Sequence, residues 1–222
     1  MSAVLDVFNV LHEPTAVFER VREKPRILVP YVVIVIVLLA IAVVMRPFYE
    51  AALRGMIATM PPEQAARVDP SRQTMFILIF TPINVLVALL LGAGLLWVLT
   101  SLTGNEARFK MLLSVLAYAY VTFVLLSIVS SAVLFVRGVE TVSSLRDLRP
   151  AIGLDLLAPD ASGFLAGLLN AINPFSVWGV WLTGVGIAVT HKLSRGAGVT
   201  VAAISFLIGA SISALLQSLQ GM

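Results

Sequence analysis

The sequence predicts an all-α integral membrane protein, a polytopic transmembrane bundle of five helices with interfacial amphipathic segments. Three observations carry that prediction. Charged residues make up 12% of the chain and hydrophobic residues 59%, whereas a soluble domain carries about 25% and roughly 45–50%. The mean hydropathy is +0.99. The charges are also blocked, leaving uncharged stretches at 27–45, 73–105, 111–136, 161–191 and 196–222. A helix needs roughly 20 apolar residues to cross the hydrocarbon core, so spans are expected near 27–45, 76–100, 111–135, 173–190 and 198–218.

Residues 1–26 form a cytoplasmic amphipathic segment ahead of the membrane domain, 27–222. Val4, Leu5, Val7, Phe8 and Leu11 recur at helical spacing. Glu13-Pro14-Thr15 then interrupts, and Thr15 is expected to cap a second helix carrying Phe18 and Val21 beside Glu19, Arg20, Arg22 and Lys24. A helix with one apolar stripe and a charged back lies in the membrane interface. The segment serves as an anchor for the first span, with docking of a cytosolic partner as the alternative. Four acids balance four Arg/Lys in this segment, unlike a positive leader, and Ala40-Ile41-Ala42 falls inside the apolar run. The first helix is therefore expected to be retained.

The connections set the orientation. The short ones, roughly 101–110 and 191–197, hold Arg108, Lys110, Lys192 and Arg195 against Glu106 alone. The long ones, 46–75 and 136–172, hold as many acids as Arg and Lys. Short basic loops stay in the cytoplasm, which places the N-terminus there and, with five spans, the C-terminus in the periplasm. The loop 46–75 reads as exposed turns around Pro61-Pro62-Glu63 and 68–72. In 137–172, two apolar stripes flank the turn 159–163 and are expected to lie flat over the bundle as a lid, with a periplasmic partner site as the alternative.

Several chemistries are excluded. The chain has no cysteine, so disulfides, thiolate catalysis and thiolate metal sites do not arise. Its two histidines, His12 and His191, are far apart, and no cofactor is expected. The net charge of +3 is not gathered into a basic face, which argues against nucleic acid. No Asp, Glu, Lys or Arg lies inside a predicted span, so a buried carboxylate for proton coupling or hydrolysis is missing, and no catalytic residue is assigned. His191, beside Lys192, reads as a headgroup contact.

Two polar features remain within the spans. Thr81-Pro82-Ile83-Asn84 places a helix breaker and an amide in the second span, and discontinuous helices build transporter sites. In the third span, Ser114, Tyr118 and Thr122 repeat at i, i+4 and i+8. Asn84, Ser114, Tyr118 and Thr122 are thus a candidate polar groove for a lipid headgroup or small solute; interhelical hydrogen bonding is the plainer reading. Small residues mark packing faces: Gly184 and Gly186 in the fourth span, and Ala202, Ser205, Gly209 and Ser213 on one face of the fifth, either closing the bundle or joining protomers. Trp178 and Trp181 near one end of the fourth span, with Lys192 and Arg195 at the other, are the expected interfacial anchors.

Three blocks resemble the Yip1 family of membrane proteins, in order. Pro14 through Phe18 to Pro25 is similar to the family's Pro-x-x-x-Phe lead into the first span. Gly104 through Phe109-Lys110 to Ala117-Tyr118-Ala119 looks like its glycine-rich hairpin, Phe-Lys step and Ala-Tyr-Ala turn. Asn173-Pro174-Phe175, Trp178, Gly184–Ala188 and the basic exit at 192–196 resemble its fourth span. The resemblance implies five helices and a cytosolic N-terminus. Val121 stands where bacterial relatives often carry proline. The Asp-Leu-Tyr-Gly-Pro motif of the trafficking branch is absent, so Rab-type partners are not implied, and the wording resembles a bacterial inner-membrane member.

The expected function is a non-catalytic inner-membrane scaffold or accessory subunit of a membrane assembly, with transport among its contexts. Its partners are the lipid bilayer and either another protein or a second copy of the chain. The alternative is a small transporter or channel for a lipid or small solute using the second and third spans.

Overall fold

The structure, a computed structural model, describes residues 3–104 and 106–219. Among them the secondary structure is entirely helical, in the order α1 (Ala3–Asn9), α2 (Pro14–Glu23), α3 (Leu28–Val44), α4 (Arg46–Ala58), α5 (Pro62–Ala65), α6 (Pro70–Ser101), α7 (Phe109–Ala119), α8 (Val121–Arg137), α9 (Gly163–Ala171), α10 (Pro174–His191) and α11 (Arg195–Leu219). Met75–Ser101, Phe109–Arg137 and Arg195–Leu219 are long and apolar enough to cross a membrane. Two bent pairs qualify jointly: α3 with α4, bent by 60°, and α9 with α10, bent by 61°. The protein thus has three to five candidate spans, as the blocked charges predict.

Helices α10 and α11 pack backbone to backbone. A Cβ at Gly184 would stand 2.6 Å from Val199 Cα, and one at Gly198 would collide with the Gly184 carbonyl. Two glycines therefore let the backbones touch, the small-residue logic of membrane helix pairs. Gly198 is the partner that reading the two spans separately misses.

Other helices depart from expectation. Residues 46–58 are helical, not turns. Pro47 sits at the start of α4, where its missing N–H costs nothing, and Phe48, Ala52 and Leu53 are buried. Helix α6 begins at Pro70 and runs unbroken through Pro82, so the second span is not discontinuous. Thr81 donates to Ile77 O at 2.7 Å, and the Pro82 carbonyl accepts from Tyr31 Oη at 3.0 Å. In the long loop, Leu154–Leu157 forms a short 3-10 turn, and α9 packs along α11, where a Cβ at Gly167 would sit 3.1 Å from Ala214 Cα.

The stretch before that turn is organised by one carboxylate. Asp147 Oδ2 accepts from the backbone N–H groups of Ser143 and Ser144 at 2.9 and 2.8 Å and from their hydroxyls at 3.1 and 3.0 Å. Burial raises the Asp147 pKa, but these four bonds outweigh it and hold the carboxyl below its ordinary 3.8.

Two predictions follow from this packing. Gly184→Leu should overpack the α10–α11 contact by about 1–3 kcal/mol or more, whereas Gly209, whose Cβ would meet nothing within 4 Å, should accept Leu with no loss; thermal unfolding in detergent separates the two. A carboxyl held below its unfolded value stabilises above that value and loses the contribution as pH falls through the lowered one. Hydrogen-exchange protection at the Ser143 and Ser144 amides should therefore fall below pH 3.8, and in Asp147→Asn it should be low at every pH.

Candidate functional site

The N-terminal segment is built into the bundle. In α1, Ala3, Asp6 and Val7 are buried, while Val4, Leu5 and Phe8 face outward. In α2, Val17, Phe18 and Val21 are buried against Val115, Tyr118, Leu182 and Val185. The apolar stripe of α2 that sequence assigns to the membrane interface therefore faces α7 and α10. Helix α2 also starts two residues earlier than expected, at Pro14 with Glu13 as N-cap and no side-chain cap; Thr15 lies inside it.

Gly186 explains the docking. A Cβ there would stand 3.1 Å from the Phe18 ring and would collide with Val115 Cγ1. Phe18, Val115 and Gly186 come from the three sequence blocks that resemble one family, and they meet at one point. Ser114 fastens the same region from below. Its hydroxyl accepts from Arg26 N at 3.2 Å and donates to Arg26 O at 2.9 Å, satisfying two backbone groups at the junction of α2 and α3. Arg22 reaches Val189 O at 3.5 Å, and Trp178 packs on the far part of the cluster.

Asp6, only 3% exposed, pairs with Arg20 across the hairpin at 2.7 Å. No sequence rule pointed to this pair, because the two residues are on different helices. The one cue was an acid at position 6 inside an otherwise apolar run.

His191 is buried, not a headgroup contact. Its Nε2 accepts from the Arg108 backbone N–H at 3.1 Å, and Nδ1 lies 2.8 Å from Thr190 Oγ1, which donates to Gly186 O at 2.6 Å. With Nε2 accepting, the neutral ring carries its proton on Nδ1 and donates it to Thr190. The bond to Arg108 ties the two short basic loops together at one end of the bundle.

The opposite end of α10 is fixed by Asn173. Its Oδ1 accepts from Phe175 N and Ser176 N at 3.1 and 3.0 Å, and Ser176 Oγ accepts from Asn173 N at 3.0 Å, a reciprocal cap. The Asn173 amide also donates to Asn170 O and Ala171 O at 3.2 and 3.3 Å, joining the end of α9 to the start of α10 across their bend.

The four polar-groove candidates do not share one surface. Ser114 and Tyr118 are buried toward the N-terminal hairpin. Thr122 donates to Ala119 O at 3.0 Å and faces Gly179. Asn84 is exposed and lines a cleft of about 740 Å³. Thr122 lines a second, mostly apolar cavity of about 370 Å³ between α6, α8, α10 and α11. Of the small-residue face on α11, Ala202 is packed, Ser205 and Gly209 border the smaller cavity, and Ser213 borders the larger and accepts from Gln217. Trp181 is 46% exposed. Lys192 adopts a left-handed turn at φ 54° that ends α10, and Arg195 opens α11, both exposed.

Ser114→Ala should leave both Arg26 backbone groups unpaired at a cost of about 1–3 kcal/mol. Phe18→Ala should empty the seat at about 3–5 kcal/mol. Proteolysis of the N-terminal 26 residues, slow in the parent, should be rapid in both variants.

The sequence has counterparts among known proteins. The model of the Yip1 domain matches residues 8–216. The chain is 25% identical over 227 residues to "Membrane protein YknW" of Bacillus subtilis (strain 168), covering 97% of this chain and 92% of that protein. No solved structure matches it. The matched region takes in the hairpin seat, the α7–α8 junction and the capped α10, and the chain belongs to the Yip1 family of membrane proteins.

Proposed function

We propose that this multi-pass membrane protein is a non-catalytic scaffold or accessory subunit of a bacterial inner-membrane assembly. The observation that supports it is the use to which buried residues within and beside the family-like blocks are put. Phe18, Val115 and Gly186 interlock, Ser114 satisfies a chain junction, Asn173 caps a helix, and His191 bridges two loops. Each of these side chains is taken up by holding one helix arrangement. A protein whose buried polar and small residues fix shape acts through the surface that shape presents, to lipid and to another protein or a second copy of itself.

The N-terminus is placed in the cytoplasm and the C-terminus in the periplasm. The basic loops 101–110 and 191–197 supply the charge asymmetry, and their junction through Arg108 and His191 gives that asymmetry a single end.

Gentle extraction at native expression level, followed by mass spectrometry, should find a stoichiometric protein partner or second copy with the wild-type chain. That capture should be lost in Gly186→Leu and unchanged in Asn84→Ala. Isolation of the wild-type chain always alone would overturn the reading. Because the chain has no cysteine, Ser194→Cys and Ser162→Cys report topology directly. A membrane-impermeant maleimide should label only Ser162→Cys in cells with a permeabilised outer envelope and intact inner membrane.

A further inference from the structure

The larger cleft is not used by any of these contacts, and its walls are graded. It opens beneath the segment 148–152 and α9 and is walled by α3, α6, α8 and α11. At its rim stands Arg149, the one charged residue lining it among the described residues. Arg149 is exposed, and its guanidinium donates to the neutral Gln217 side chain, with no carboxylate partner among the described residues. Arg146 borders the adjoining recess. The acid nearby, Asp155, is already occupied by Gly153 N at 2.9 Å and Asn170 Nδ2 at 2.7 Å. Further in, Asn84 and Ser130 line the wall and form no side-chain hydrogen bond among the described residues.

The cleft then meets the smaller cavity, since Tyr120, Phe206 and Ala210 line both. The smaller cavity holds no charged residue and is lined by Gly92, Gly179 and Gly209. Gln217 at the rim and Ala202 in the smaller cavity belong to the continuous helix α11, so they lie roughly 22 Å apart at the α-helical rise. One leaflet of hydrocarbon is about 15 Å deep, half of the core. Both volumes fall within the roughly 300–1,000 Å³ of ligand sites.

We propose that the joined cleft is a binding site for one anionic phospholipid. The phosphate sits at Arg149, the glycerol and ester oxygens lie beside Ser130 and Asn84, and an acyl chain fills the cavity beside Gly209. The unpaired cation at the rim selects the anionic headgroup. The graded wall and the depth select an amphiphile over a water-soluble phosphate.

The test is native mass spectrometry of the full chain in detergent, titrated separately with phosphatidylglycerol and phosphatidylcholine. One phosphatidylglycerol should be retained in preference to phosphatidylcholine by roughly fivefold, the scale of one basic side chain near a lipid phosphate. Arg149→Gln should remove that preference, while Arg195→Gln, at the other end of α11, should keep it. Gly209→Leu, which places a side chain in the smaller cavity, should abolish retention of both lipids, and Ser205→Leu on the same wall should do the same. Equal retention of the two lipids by the wild type, an unchanged preference in Arg149→Gln, or full retention in a folded cavity-filling variant would each overturn the proposal and leave only annular lipid.

Discussion

At Gly186 three helices approach a point where no side chain stands. Phe18 from α2 and Val115 from α7 both occupy the space a Cβ would need. That contact sets the depth to which α2 slides along α10, and through Arg26 and Ser114 it sets the level at which α3 begins. One turn further, Thr190 donates a hydrogen bond to the Gly186 carbonyl and holds His191 for the second loop. Van der Waals complementarity at one missing methyl thus fixes the end of the bundle. In a bilayer this is the expected currency, since helix association there has no hydrophobic drive against lipid tails.

Much of the architecture was legible in the sequence. Charge spacing alone locates the apolar helices, because burying an unpaired charge in hydrocarbon is costly. The partner of the N-terminal stripe was not legible. A helix with Phe18 and Val21 on one side has the same periodicity whether that side meets lipid or protein. Only the long-range space beside Gly186 decides, and a local pattern holds no information about it. Helix α4 was hidden for a different reason. Its charged residues, Arg46, Glu50 and Arg54, interrupt the hydropathy signal, yet they pair along one exposed face at i, i+4.

The polar groove shows where periodicity misleads. Ser114, Tyr118 and Thr122 are spaced at four residues, but each step of four overshoots a full turn by about 40°. Two steps rotate Thr122 by roughly 80° from Ser114, and the α7–α8 junction at Tyr120 adds a further change. Ser114 consequently meets the N-terminal junction, while Thr122 turns toward Gly179 and the smaller cavity. The set of small residues on α11 drifts in the same way, from tight packing at Ala202 to an open wall at Gly209. Ser114 and Tyr118 thus meet different neighbours from Thr122 and Asn84, whereas Ala202, Ser205 and Gly209 share one cavity wall.

The seat at Gly186 also constrains how the protein is made. Phe18 is synthesised long before the glycine that receives it, with about three-quarters of the chain between them. At roughly 5–20 residues per second, the ribosome takes on the order of ten seconds or more to supply the missing wall. Until α10 is made, the apolar stripe has at most the α7 side of its seat, and the membrane interface is the place where its uncovered part can wait. The interfacial character visible in residues 1–26 is then a property of the nascent chain, exchanged for helix contact once the fourth span has entered the bilayer.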